Sequence, residues 1–171
     1  MALRPGRCYH KQKQKAYTRI AIRVPDKSYV KGVPVSKIHQ FEIGKKGDYP
    51  LMLHLITGVR TLIRSNCLEA ARVAATKYLT DNIGEKAFFM KIRVYPHHVL
   101  RENPLATGAG ADRFSEGMRH SFGKPIGQAA IVKGGQKVIS IYIPAGKEIE
   151  GKEALRRAAS KLPGKCRIVG K

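Results

Sequence analysis

GQAAIVKGGQKVISIYI, residues 127–143, places two runs of strand-forming residues on either side of Gly134-Gly135. Glycine accepts the positive φ angles that tight hairpin turns require, so two such runs around Gly-Gly predict a β-hairpin. In the second run Ile139, Ile141 and Ile143 share one side, as a strand with one face on a core demands. Turn and alternation together predict antiparallel pairing.

Upstream, FFMKIRVY (residues 88–95) alternates most clearly. Phe88, Met90, Ile92 and Val94 form a core side. Phe89, Lys91, Arg93 and Tyr95 form a mixed aromatic and cationic side. Two readings of that second side stand equal: an RNA-stacking and phosphate-binding face, or a half-exposed face with snorkelling basic chains. IHQFEI (38–43) and LMLHLIT (51–57) read as strands joined by the turn-rich GKKGDYP. A helix is predicted over about 66–82. Asn66 and Glu69 suggest a capping box, Gly84 the stop, and Leu68, Ala71, Ala75, Tyr78 and Leu79 an apolar stripe. A second helix is predicted over about 150–162 with Ala154, Leu155, Ala158, Ala159 and Leu162 apolar, and CRIV could add an edge strand. The order β-β-α-β-loop-β-β-α-β predicts an α+β fold with a mainly antiparallel sheet. No repeat is seen, and one domain over 1–171 is expected, with a basic arm over 1–34 and a core over 35–171.

Between these elements lies NPLATGAGADRFSEGMRHSFGKP, residues 103–125, without sustained helical or strand periodicity. Loops of this length in compact domains are uncommon and are usually functional or disordered. This one carries Arg113, Arg119, His120 and Lys124 in a chain of formal net charge +21, with 33 Lys and Arg against 12 Asp and Glu. Such an excess repels itself in the compact state and calls for an anionic partner. The first 31 residues add Arg4, Arg7, Lys11, Lys13, Lys15, Arg19, Arg23, Lys27 and Lys31 against one acid, Asp26, and are read as an extended arm with few core residues. Residues 20–24 alternate and could pair locally as a strand. Lys152, Arg156, Arg157 and Lys161 put further cations on the last helix. Cations spread over arm, sheet face, loop and helix suit a protein embedded among several RNA segments, with affinity that falls steeply with salt.

Competing chemistries fail on spacing. A membrane partner is disfavoured, because no apolar run reaches the ~18 residues of a spanning helix and the cations do not line one amphipathic face. The start, MALRPGRCYHKQKQK, lacks the apolar region of a secretory signal. Cys8, Cys67 and Cys166 are odd in number and widely spaced, pointing to reduced thiols. A phosphate loop ending at Gly123-Lys124 would need glycine where Met118 stands and Ser or Thr where Pro125 stands. Gly108-Ala109-Gly110 begins a dinucleotide-like pattern that Arg113 breaks. No metal spacing surrounds Cys8 and His10 or His97 and His98, which are assigned ordinary polar contacts. Asp112, His120 and Ser121 lack the rigid support a catalytic triad needs. No enzyme activity, cofactor, metal or self-association is expected. A general nucleic-acid condenser remains the alternative on charge alone, predicting equal affinity for duplex DNA.

Four stretches, RPGRCYH, LEAARVAATKYL, GAGADRFSEGMRHSFGKPIG and EALRRAASKLPGK, occur in order along essentially the whole chain. Together they resemble the archaeal and eukaryotic branch of the universal large-subunit ribosomal protein sixteen family. The resemblance implies an α/β-hammerhead fold and a cytoplasmic, non-enzymatic role in the large ribosomal subunit. It implies rRNA contacts from the arm and the basic faces (Lys91, Arg93, Arg156, Arg157) beside the aminoacyl-tRNA corridor and neighbouring ribosomal proteins. It also implies that the loop over 101–124, with Arg101, Arg113, Arg119, His120 and Lys124, points toward the peptidyl-transferase centre and the tRNA acceptor ends, and that the protein joins the subunit late. RNA contact is the expected role of Arg113 and Arg119. For Arg101 a structural role is favoured, anchoring the loop through an ion pair with Glu102. The stop soon after PGKCRIVGK, without the longer tail of many eukaryotic members, points to an archaeal-type chain.

Overall fold

The computed structural model describes residues 4–9 and 23–170. Its strands and helices run β1 (Glu42–Gly44), β2 (Leu51–Thr57), β3 (Thr61–Arg64), α1 (Ser65–Asn82), β4 (Phe89–Ile92), β5 (His98–Glu102), β6 (Lys124–Val132), β7 (Lys137–Ile143), α2 (Glu148–Ala159) and β8 (Cys166–Gly170). One sheet has the order β1-β4-β7-β2-β8 and the other β3-β6-β5, and every pairing is antiparallel. The fold is α+β, as the element order predicts.

The hairpin expected around Gly134-Gly135 does not form. β7 pairs with β2 and β4, whereas β6 pairs with β3 and β5 in the other sheet. The runs β2–β3 and β6–β7 lie side by side and turn from one sheet into the other together. At the corner the Gly135 amide donates to the Thr57 carbonyl at 2.8 Å, and the Thr57 hydroxyl donates to the Lys133 carbonyl at 2.8 Å. A Cβ on Gly134 would stand 3.3 Å from the Gly58 carbonyl oxygen, and Gly135 takes φ +79°. The glycines serve a shared bend, where a close neighbouring backbone leaves little room for side chains.

The main core lies where α1 and α2 pack on each other, α2 over β2, β7 and β8, and α1 over β3 and β6. Leu53 and Leu55 of β2, Ile139, Ile141 and Ile143 of β7, and Phe88, Met90, Ile92 and Val94 around β4 are all buried there. Each such side chain contributes about 1.5–3 kcal/mol relative to exposure. Leu68, Ala71, Ala75 and Leu79 of α1 and Ala154, Leu155 and Ala158 of α2 supply the helical side, as their spacing predicts. Gly151 lets α2 sit close on the sheet, because a Cβ there would come 2.6 Å from Ile143 Cδ1 and 2.7 Å from Leu53 Cδ1. Gly84, at φ +102°, ends α1 with its amide on the Leu79 and Thr80 carbonyls.

Other expectations are corrected. α1 starts at Ser65 with Arg64 as an uncapped N-cap, so Asn66 lies inside the helix and Glu69 pairs with Arg72 in place of closing a capping box. The strand expected over 38–43 is confined to β1, where Glu42, Ile43 and Gly44 pair with β4 and the Phe41 carbonyl accepts the Ile92 amide at 2.8 Å. β3 and β5 were not anticipated. Most of the alternation at 20–24 lies outside the described residues, and Val24 is in no strand. The arm does supply core residues: Val30 is buried, and Tyr9 joins a second cluster with Leu62, Leu100 and Ala129.

Candidate nucleic-acid interface

The first described residues clasp the second sheet. The Tyr9 hydroxyl donates to Glu102 Oε1, Arg4 Nε lies 3.3 Å from Glu102 Oε2, and Arg64 Nη1 donates to the Arg4 carbonyl at 2.7 Å. Glu102 ends β5, so this contact ties the amino-terminal segment to the stem of the long loop. Arg7, Arg23 and Lys27 are exposed. Lys11, Lys13, Lys15 and Arg19 lie outside the described residues.

On the mixed side of β4, protein partners take up both cations. Lys91 bonds Glu42 on β1, which holds the Glu42 carboxyl below its usual range. Arg93 donates from Nε to Ser140 Oγ at 2.9 Å and from a terminal nitrogen to the Tyr142 hydroxyl at 2.6 Å. Phe89 is buried against Tyr142, while Tyr95 stays half exposed between Phe41 and His97, with ring centres 5.2 and 4.6 Å away. On α2, Arg156 and Arg157 share Glu153 at 2.7 and 3.1 Å, and Arg157 lies 4.1 Å over the Tyr78 ring. The bond from Arg156, then that from Arg157, keeps the Glu153 carboxyl low.

The loop between β5 and β6 is organised differently. Arg101 closes its base, donating from Nη1 to the Phe122 carbonyl at 3.1 Å with its guanidinium carbon 3.9 Å over the Phe122 ring. The ion pair expected with Glu102 is replaced by this clamp, because consecutive strand residues point to opposite faces and Glu102 is turned toward Tyr9 and Arg4. Asn103 Nδ2 bonds the Gly117 carbonyl at 3.0 Å. Gly123, at φ +81°, sits where a Cβ would meet the Glu102 carbonyl carbon at 2.7 Å, so only glycine fits this close approach. Farther out, a 3-10 turn covers Ala111–Arg113, and His120 pairs with Glu116 at 2.7 Å.

Arg113, Arg119 and Lys124 are exposed, and among the described side chains no carboxylate lies in ion-pair reach of them. Phe114 is 88% exposed, and Met118 and Phe122 are also in solvent. Cations beside outward aromatic rings offer phosphate contact and base stacking together. Sequence reasoning found the cations and missed the aromatics. Their signal was present in the alternation of Arg113-Phe114 and His120-Ser121-Phe122.

Among the described residues no group of His, Cys, Asp and Glu could hold a metal ion, and no helix is long and apolar enough to cross a membrane. The three cysteines are unpaired, and burial pushes the Cys166 thiol up. His97 and His98 were expected to make ordinary polar contacts. His98 is buried at 2% exposure, and its Nδ1 has no partner among the described residues.

Comparison with known proteins places this geometry. The family model for ribosomal protein L16p/L10e matches residues 12–169. The chain is 48% identical over 170 residues to the large ribosomal subunit protein uL16 of Methanococcus aeolicus, covering 99% of this chain and 94% of that one. It is 50% identical over 172 residues to the same-named protein of Staphylothermus marinus, covering 100% and 95%, and 45% identical over 171 residues to that of Archaeoglobus fulgidus, covering 99% and 93%. The match spans arm, both sheets and the cationic loop: the chain belongs to the L16p/L10e family of large-subunit ribosomal proteins.

Proposed function

We propose that the chain holds large-subunit rRNA through its arm and basic faces and lines the aminoacyl-tRNA corridor, with the loop over 101–124 directed at the peptidyl-transferase centre and the tRNA acceptor ends. The observation that carries this reading is the contrast between cations with and without carboxylate partners. Lys91 is tied to Glu42, and Arg156 and Arg157 to Glu153, whereas Arg113, Arg119 and Lys124 stand exposed, as does Phe114. A guanidinium already paired with a carboxylate must give up that contact to reach a phosphate. Among the described side chains, the loop cations have no carboxylate to give up. Arg113 and Arg119 suit bidentate phosphate contact, and Arg101 is assigned to positioning the loop. Arg4, Arg7, Lys11, Lys13, Lys15, Arg19, Arg23 and Lys27 are assigned to rRNA. Lys91, Arg93, Arg156 and Arg157 serve rRNA from within protein networks. The catalysis belongs to RNA, and the chain supports cytoplasmic translation and late subunit assembly.

The test is a large subunit carrying Arg113→Ala/Arg119→Ala. The double variant should still enter the particle, while tRNA accommodation and peptide-bond formation slow. Normal rates in particles that contain the variant at full stoichiometry would overturn the loop's role.

A further inference from the structure

β3 stops at Arg64, opposite Ala129, but β6 continues back to Lys124. Among the described residues no strand borders this stretch of β6 on the β3 side. A cavity of about 490 Å³ opens there, between the start of α1, the β6 edge and the amino-terminal segment. That volume lies within the usual range for small-ligand sites, roughly 300–1,000 Å³. Leu100, Ile126 and Val35 supply apolar wall, Lys37 and Arg64 supply positive charge, and Arg4 lies there already paired with Glu102 on the same wall. Two buried polar atoms on lining residues, Arg64 Nε and Asn66 Oδ1, have no hydrogen-bond partner among the described residues. An unsatisfied buried donor and acceptor each cost about 1–3 kcal/mol, which a small turn of either side chain toward a polar ligand would relieve. α1 also begins here without a side-chain cap, and free amides at a helix start favour an anion.

We propose that this cavity takes a single extruded rRNA nucleotide. Its base would lie against the apolar wall with its edge toward Asn66 and Arg64, and its phosphate near the start of α1 and the cations. A base is flat, largely apolar on its faces and polar only at its edge, which is the mixture the cavity presents. An extended peptide would satisfy the open edge of β6 but would not use Lys37 and Arg64. This inference rests on the rRNA-binding reading and names one site within it.

Gly127 permits a test that spares the fold. It lines the cavity at ordinary φ, and a Cβ there meets no atom within 4 Å. Gly127→Leu therefore sends a side chain into the cavity from a Cβ that displaces nothing, and Asn66→Ala removes the buried amide. Large subunits reconstituted with wild type, Gly127→Leu or Asn66→Ala would be mapped by base-specific chemical probing of the rRNA. We expect one isolated unpaired nucleotide, protected by wild type, to lose its protection with both variants while every chain stays bound. Identical reactivity patterns in particles holding all three chains would overturn the cavity proposal and leave rRNA binding intact. Failure of wild type to enter the particle would overturn both. Protection lost over many contiguous nucleotides would mark a general docking defect and would also count against a single-nucleotide site.

Discussion

Arg101 and Phe122 close the stem of the loop face to face, the guanidinium 3.9 Å above the ring and bonded to the same residue's carbonyl at 3.1 Å. The pair spans twenty-one residues of sequence, so it sets where the loop leaves the sheet. Arg101→Ala removes the stacking and the charged hydrogen bond, together about 1–2 kcal/mol at this exposed position. Amides over 103–123 should then exchange with solvent about 5–30-fold faster, as that energy implies. Arg101→Lys should recover little, because an ammonium cannot stack as a planar guanidinium does. Unchanged loop exchange in Arg101→Ala would show that the clamp does not hold the stem.

Gly151 tests how closely α2 must approach the sheet. Gly151→Ala gains about 1 kcal/mol of helix propensity but pushes a methyl against the buried ends of Ile143 and Leu53. Overpacking of that kind costs about 1–3 kcal/mol. The alanine variant should therefore melt near wild type or slightly below it. Gly151→Val adds two further carbons and loses propensity, so its melting temperature should fall by about 5–10 °C at roughly 2–4 °C per kcal/mol. A valine variant as stable as wild type would mean that the helix sits farther from β2 and β7 than described.

His98 gives the stability a pH dependence whose sign follows from its environment. Burial, and then the charge of Arg101, lower its pKa below the ordinary 6.5. The unfolded chain thus binds a proton that the folded chain refuses. The resulting stabilisation is complete above the unfolded value and is lost as pH falls from about 6.5 through the lower folded value. A proton NMR titration of the imidazole should place its midpoint below 6.5 in wild type, and His98→Leu should remove this part of the acid sensitivity. A midpoint above 6.5 would reverse the sign.

Where residue pattern and burial coincide, the fold was legible. The alternation through Phe88, Met90, Ile92 and Val94 and the stripe of α1 both emerge as the core. The misreadings share one cause, which is that short-range chemistry does not name a partner. Gly134-Gly135 has the composition of a hairpin turn, but β2–β3 runs alongside and makes it a corner. Asn66 and Glu69 have capping-box spacing, yet the helix starts one residue earlier, directly from β3, and leaves them inside. The strand β5 hides between the Pro96-His97 break and the glycine-rich loop, and β3 runs straight into α1. The candidate interface was legible as charge and not as availability. The i,i+3 and i,i+4 spacing of Glu153 with Arg156 and Arg157 is readable on the predicted helix, but nothing in the sequence shows that Arg93 is held by Ser140 and Tyr142. Those partners are separated in sequence or set by helix phase, and they decide which cations remain open to RNA.

Co-sedimentation of the tagged chain with ribosomal particles, repeated at rising salt, tests the central claim most directly. Contacts that depend on phosphate charge alone weaken steeply with salt, whereas a chain seated among several rRNA segments is also held by its apolar and aromatic surfaces. The account predicts near-stoichiometric migration with the large subunit that survives high salt, for wild type and for Arg113→Ala/Arg119→Ala alike. Release at modest salt, or migration with free nucleic acid, would contradict it.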